Sequence, residues 1–322
     1  MNELILHHYE ASPYSEKIRT ILGFKGLAYR SVLQPQVMPK PDQLALTGGY
    51  RRAPLLQIGA HIYCDTNLIA DVLERLKPEP TLYPAPVAGT SRMIAAFMDQ
   101  TFFRVAAMLV FQPQGGGTAK APDGMSRREM VGLLKDRVKM MQDARVVHVP
   151  ADLAPTYFDA FVGPLEVQLG HEGPYLCGPA PSIADFAAHH VMWFIQNRAT
   201  ADNAFATYPR LNEWIKRIDG FRQDPVDQLD SAAAVELAKQ TPPPPPDQAV
   251  IEHPEWKAGD RIEIVATDYG FEPVRGELVK LVGNEIALRR FDERAGEVIV
   301  HFPVVGYEIR EPREDNADES DD

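Results

Sequence analysis

The sequence predicts three parts in series: an α/β domain, an all-α helical bundle and a small all-β module. Three observations predict them. Over residues 1–80 short β-type runs alternate with helical patterns, and residues 89–240 hold little but helical periodicity. After the five prolines of "QTPPPPPDQ", five runs rich in β-branched residues follow, separated by turn residues.

The first strand spans 3–9, around Leu4-Ile5-Leu6, and a helix covers 13–25. Ser12 followed by Pro13 marks the helix start, because a hydroxyl can cap free N–H groups and proline suits the first helical turn. Ile18, Ile21 and Leu22 recur at helical spacing, and Gly26 offers a stop. "LAYRSVL" reads as a second strand. "APLLQI" and "HIYC" form a hairpin through the Gly59-Ala60 turn, and "TNLIADVLERL" is a helix capped by Asp65 or Thr66. Leu68, Ile69, Val72 and Leu76 share its apolar face. The order β-α-β-(α)-β-β-α is the thioredoxin-type arrangement.

Six helical patterns follow: "SRMIAAFMDQTFFRVAAMLVF", "SRREMVGLLKDRVKMMQDARVV", "APTYFDAFVGPLEVQLG", "SIADFAAHHVMWFIQNR", "YPRLNEWIKRIDGF" and "PVDQLDSAAAVELAKQ". An α/β domain is thus followed by a bundle. Residues 241–249 read as a proline-rich polyproline II spacer, which is expected to hold the module that follows apart from the body, so that cutting near Pro244 leaves a soluble body. Residues 250–312 read as a small barrel-like module of about five strands, with Gly283-Asn284 as one of its turns. The end, 313–322, is acidic, nearly without apolar residues, and reads as disordered.

A chain of 322 residues suffices for two or three domains with sizeable cores. The apolar stretch Met93 to Phe111 contains Asp99, Gln100 and Arg104, so it does not read as a membrane span. "MNELILHHYE" lacks the basic start and long apolar core of a signal peptide. Two cysteines, Cys64 and Cys177, provide neither a disulfide framework nor a cysteine zinc cluster, and they suit a reducing cytoplasm. The net charge of −12 is unevenly placed: residues 241–322 hold 20 acidic and 9 basic residues, against 25 and 24 in the first 240. Electrostatics therefore argues against non-specific nucleic-acid binding by the acidic module. "GGGTAKAPDG" lacks a G-K-[ST] end and reads as a loop, not a phosphate cradle.

Four local patterns in order resemble the glutathione transferase family, over about residues 3–230. "SPYSEKIR" is similar to the active-site turn of its serine- and cysteine-type members. "RRAPLLQIGAHIYCDT" is similar to the stretch carrying a cis-proline and the pair that holds the γ-glutamyl end of glutathione. Lys40, thirteen residues before Ala53, has a spacing like that of omega-type members. "YLCGPAPSIADF" resembles the hallmark of the helical domain. Ala53 stands where valine or isoleucine is usual, and Asp65-Thr66 where Glu-Ser is usual.

The resemblance implies glutathione as co-substrate, a homodimer and a serine-type site. Ser12 would donate to the glutathione sulfur at a helix N-terminus, which favours a thiolate; Tyr9 is the alternative donor. With no C-x-x-C at that turn, thiol–disulfide exchange through it is excluded. Ala53 and a cis-Pro54 would meet the cysteinyl part, and Asp65 and Thr66 the γ-glutamyl ammonium and carboxylate. Lys40, Arg51 or Arg52 would meet the glycine carboxylate. The function so implied is conjugation, or another use, of glutathione with a small hydrophobic electrophile. The alternative is a non-catalytic binding protein whose C-terminal module recruits a protein partner. No metal site is expected, since His189-His190 lack cysteine or carboxylate partners at ligand spacing. Ser182 with Asp185 reads as a capping box. Cys64 reads as a buried strand-end residue, with a place near the site as the alternative; Cys177 reads as structural and Tyr14 as packing or a dimer contact. Phe102, Phe103 and Met108 read as helix core, with an apolar co-substrate pocket as the alternative.

Overall fold

The computed structural model describes residues 3–111, 125–171, 173–198, 205–243 and 253–312. The glycine-rich stretch 115–124, most of the proline spacer and the acidic end at 313–322 lie outside them.

Strands β1 (Ile5–His8), β2 (Arg30–Leu33), β3 (Leu55–Ile58) and β4 (His61–Cys64) alternate with helices α1 (Pro13–Phe24), α2 (Pro41–Thr47) and α3 (Thr66–Leu76) in the predicted order. β1 runs parallel to β2 and antiparallel to β3, which turns back through Gly59 into β4. Ser12 caps α1: its Oγ accepts the Ser15 N–H at 3.1 Å, and Pro13 occupies the first turn. Leu68, Ile69 and Val72 are buried as their spacing predicts, whereas Leu76 is exposed. The Ala53–Pro54 bond is cis, as the resemblance implies.

Helix α4 (Ala88–Phe97) continues through a π turn at Met98–Phe102 into α5 (Phe103–Phe111). By length and composition 85–111 suffices to cross a membrane; in this fold Phe102, Val105, Ala106 and Val110 face the core and Asp99 is paired with Lys17. α6 (Arg127–Met140), α7 (Ala154–Gln168), α8 (Ile183–Arg198) and α9 (Pro209–Asp219) complete the bundle. Asp185 accepts from Ser182 N, Leu176 N and Trp214 Nε1, so the predicted box ties α8 to α9 as well as capping it. α6 is shorter than its pattern. The chain leaves it after Met140, Asp143 takes a positive φ, and Arg145 N donates to Asp268 O at 2.7 Å.

Two further segments depart from the expected bundle. Asp227–Gln228 forms β5, parallel to β2 on the sheet edge, and helix α10 (Ser231–Gln240) begins only after Asp230, which caps Ala232 N. α10 lies on the sheet: Val235 and Ala238 share a core with Leu55, Ile62, Leu288 and Val300.

The C-terminal strands are β6 (Arg261–Ala266), β7 (Val274–Val282), β8 (Glu285–Asp292), β9 (Gly296–Phe302) and β10 (Tyr307–Arg310). They pair antiparallel, and Gly283, with φ 57°, makes the β7–β8 turn. The expectation that this module packs apart from the body is corrected by one ladder. β9 runs parallel to β4, with His61, Ile62 and Tyr63 opposite Ile299, Val300 and His301, so ten strands form one sheet. β4 would otherwise present an unpaired edge.

Candidate functional site

A cavity of about 240 Å³ opens where the α/β domain, the bundle and the C-terminal strands meet. One wall is the N-terminus of α3. Asp65 is its cap, and its carboxylate accepts the Asn67 N–H at 2.9 Å. Its backbone sits at φ 73°, a conformation costing a non-glycine residue roughly 1–3 kcal/mol. Ala53, Pro54 and Thr66 line the same cavity. Free N–H groups and the positive end of α3 make this wall suited to an anion, beside a carboxylate suited to a cation.

Behind it lies a buried polar cluster. Lys17 Nζ donates to Asp99 Oδ2 at 2.7 Å, Asn67 Oδ1 at 3.2 Å and Thr66 Oγ1 at 3.3 Å. Burial pushes the Asp99 carboxyl above its usual range, and the Lys17 ammonium works against that. His190 Nε2 is 3.8 Å from Asp99 Oδ1, and burial holds its imidazole neutral. Tyr14 OH donates to Asp99 O at 2.7 Å from the cavity lining. The π turn presents Asp99, Gln100 and Thr101 to the cavity.

The facing wall comes from distant parts of the chain. Arg52 donates to Asp268 Oδ1 at 2.5 Å and to Tyr269 O, and its guanidinium lies 3.9 Å from the centre of the Tyr269 ring. The Tyr307 hydroxyl is 3.4 Å from both Tyr50 OH and Asp65 Oδ2. Arg104 and Arg145 complete that side.

The structure thus brings Arg52, Ala53, Pro54, Asp65 and Thr66 together. Ser12 and Lys40 do not line the cavity. Ser12 is 1% exposed, as the α1 cap. Lys40 is buried and donates to Arg51 O at 2.9 Å; burial, with Arg137 and Arg51 nearby, lowers its pKa to about 8. Arg51 is held by Asp136 at 2.5 Å and Glu272 at 3.3 Å. Tyr9 accepts from Arg137 at 3.2 Å, away from the cavity. Cys64 is buried, with its thiol pKa pushed up. Among the described residues no group of three or more His, Cys, Asp or Glu is placed to hold a metal ion.

Asp99 and Arg104 are cavity-lining residues missed in sequence. The available signal was two charges inside an apolar helix, which are rarely buried without a partner or a task. Tyr269 and Tyr307 carry no local signal, because tertiary contacts bring them here: the β4–β9 ladder, the Arg52–Asp268 pair and the Arg145 N–H bond to Asp268 O.

The model of the glutathione S-transferase N-terminal domain matches residues 6–81, and that of the C-terminal domain matches 142–221. A solved GST-like protein from Pseudomonas syringae is 40% identical, covering 97% of this chain and 100% of that one, with a TM-score of 0.78. This chain belongs to the glutathione S-transferase family. The probable glutathione S-transferase BZ2 of Zea mays is 25% identical over 165 residues, 48% of this chain and 69% of that protein. The domain matches of the family end at 221, whereas the Pseudomonas likeness extends over the C-terminal strands.

Proposed function

We propose that the protein binds glutathione in this cavity and activates its thiol for attack on a small electrophile. One observation carries the reading: Ala53 and Pro54 share a cavity with Asp65 and Thr66 at the start of α3. Asp65 accepts from the α-ammonium, while Thr66 and the α3 N–H groups donate to the α-carboxylate. The backbone at Ala53 pairs with the cysteinyl residue like an added strand. Of the three cations considered for the glycine carboxylate only Arg52 lines the cavity, so that carboxylate competes with Asp268 for its fork.

A free thiol, with a pKa near 8.5, is mostly protonated at neutral pH. The N-terminus of α1 and one hydroxyl donor lower that by about one or two units, or roughly 1.4–2.8 kcal/mol. Ser12 Oγ has accepted the Ser15 N–H and keeps its own proton to give, but it lies outside the cavity lining, so this donation requires the bound thiol to reach the α1 cap. The thiolate then forms a C–S bond, the leaving group departs with its electron pair, and the thiol proton passes to solvent. Pairing into a homodimer, in a reducing cytoplasm where Cys64 and Cys177 stay thiols, belongs to the same reading.

Calorimetric titration with glutathione tests the binding, and turnover with 1-chloro-2,4-dinitrobenzene tests the chemistry. Ser12→Ala is expected to slow turnover about tenfold to a hundredfold at neutral pH with glutathione affinity kept. A second reading, glutathione binding without catalysis, is favoured by the burial of Ser12. On that reading the parent protein binds and does not turn over, and Ser12→Ala removes only a helix cap, about 1 kcal/mol of stability. Absence of glutathione binding overturns both.

A further inference from the structure

We infer that the second ligand of this cavity is an anion: a carboxylate-bearing electrophile held by Arg104 and Arg145. The inference rests on the glutathione reading above and names the class of its partner substrate.

The three apolar residues that the sequence placed nearest to a co-substrate pocket are spent elsewhere. Phe102 is in the core, and Phe103 and Met108 pack against it; none lines the cavity. Beyond the α3 wall the lining is mixed: Val146, Val147 and Val305 offer apolar surface for a ring, while Arg104 and Arg145 offer charge beside it.

The charges there do not balance. Asp99 is matched by Lys17, and Asp268 by Arg52. Asp65 is reserved for an ammonium. Arg104 and Arg145 have no carboxylate within ion-pair distance among the described residues. Among the described residues, Arg104 Nε is buried with no hydrogen-bond partner, and its Nη1 reaches Met141 Sδ at 3.7 Å. Its guanidinium lies 5.0 Å from the Tyr269 ring centre, and that of Arg145 5.8 Å from Phe271. A buried donor without an acceptor is costly, and an anionic ligand would satisfy it. A planar guanidinium fits a carboxylate with two parallel N–H bonds and stays charged at every physiological pH.

With 4-chloro-3,5-dinitrobenzoate the step is a nucleophilic aromatic substitution. The thiolate sulfur bonds to the ring carbon, chloride leaves with the C–Cl electron pair, and the thiol proton goes to solvent. The carboxylate is untouched and serves only as the handle.

The test uses calorimetry on the full chain with three probes: glutathione, S-benzylglutathione and S-(4-carboxybenzyl)glutathione. The carboxylated conjugate is expected to bind at least tenfold more tightly than the benzyl conjugate, and the gap should narrow as salt rises. Arg104→Gln should abolish most of that gap while changing the affinity for glutathione less than twofold; Arg104→Lys should keep part of it. Arg145→Gln, on an exposed side chain, gives a second variant that keeps its fold if Arg104→Gln does not. Equal binding of the two conjugates overturns the inference while leaving glutathione binding intact. So does a loss in Arg104→Gln that falls equally on glutathione itself, which would assign the arginines to the glycine carboxylate. Failure of glutathione to bind overturns the reading beneath it.

Discussion

The α3 wall of the cavity and the wall facing it differ in how far along the chain their residues lie. Ala53, Pro54, Asp65 and Thr66 come from one hairpin and the helix that follows it, so a cap and a turn place them. Asp99, Arg104, Arg145, Asp268, Tyr269 and Tyr307 come from a π turn, a helix, a loop and two parts of the C-terminal module. The first wall leaves Asp65 without a cation. The second neutralises part of itself, through Lys17–Asp99 and Arg52–Asp268, and leaves Arg104 and Arg145 without carboxylates among the described residues. A ligand meeting the first wall finds open groups, whereas at Arg52 it must displace a carboxylate. On the proposed reading, recognition of glutathione sits on the local wall and selectivity on the assembled one.

The most drastic way to break the comparison is to remove what assembles the second wall. A chain ending at residue 243 loses β9 from β4 and uncovers Leu55, Ile62, Val235 and Ala238. Each such buried aliphatic side chain larger than alanine contributes roughly 1.5–3 kcal/mol, and β4 becomes an open edge. The truncated protein is expected to aggregate, with light scattering as the measurement. A soluble, folded body would show that the ten-strand sheet is not needed for the first wall. The sequence-based expectation of a module held off by its proline spacer pointed to that opposite outcome.

The reason for the difference is physical. Helix caps, hairpin turns and period-2 runs act over a few residues, so β6 to β10, the Asp65 cap and the Gly59 and Gly283 turns are legible in the sequence. Strand-to-strand docking depends on which edge is free, and nothing in "HIYC" or "GEVIVHFP" says that they will pair. The same holds for α10, which is helical by composition but lies on the sheet because β5 first carries the chain along β2. Ser12 was legible as a cap and lies in that place; the cavity it was expected to face is lined instead by Tyr14, two residues on.

A smaller perturbation sharpens the comparison at the first wall alone. Asp65→Asn keeps the size and the side-chain cap acceptor but removes the charge meant for an ammonium. Hydrogen bonds to charged groups contribute about 1.5–3 kcal/mol, so glutathione affinity should fall about tenfold to a hundredfold. Thr66→Ala should weaken it less, because the α3 N–H groups remain. Calorimetry reads both losses, and neither should alter discrimination between carboxylated and neutral conjugates. Unchanged affinity in Asp65→Asn would remove that wall from the site.

The seam between the walls offers the smallest and most selective test, through pH. His61 Nδ1 lies 2.9 Å from His301 Nε2, and His301 Nδ1 lies 2.8 Å from Glu285 Oε1. Glu285 also receives Lys280 at 3.0 Å and Arg75 at 3.1 Å, while Tyr63 stacks on His301. Burial, with His301 alongside, lowers the His61 pKa to about 4, and burial also lowers that of His301. Despite the opposing effect of burial, His301 and Lys280 hold Glu285 at about 2. An unfolded histidine titrates near 6.5, so between pH 6.5 and 4 the unfolded chain binds protons that the folded seam refuses. Stability should therefore fall as pH drops through that window, and Glu285 should extend the fall below pH 4.5. His61→Gln keeps a polar group at β4 and removes one titrating site. The thermal midpoint should then decline less steeply between pH 6.5 and 4, with little change at pH 8. His7 and His8, buried in β1 and lowered to about 4 and 3, contribute to the slope that remains, as do His190 and His301, which burial also lowers. An unaltered slope in His61→Gln would mean that the seam opens without titrating this pair.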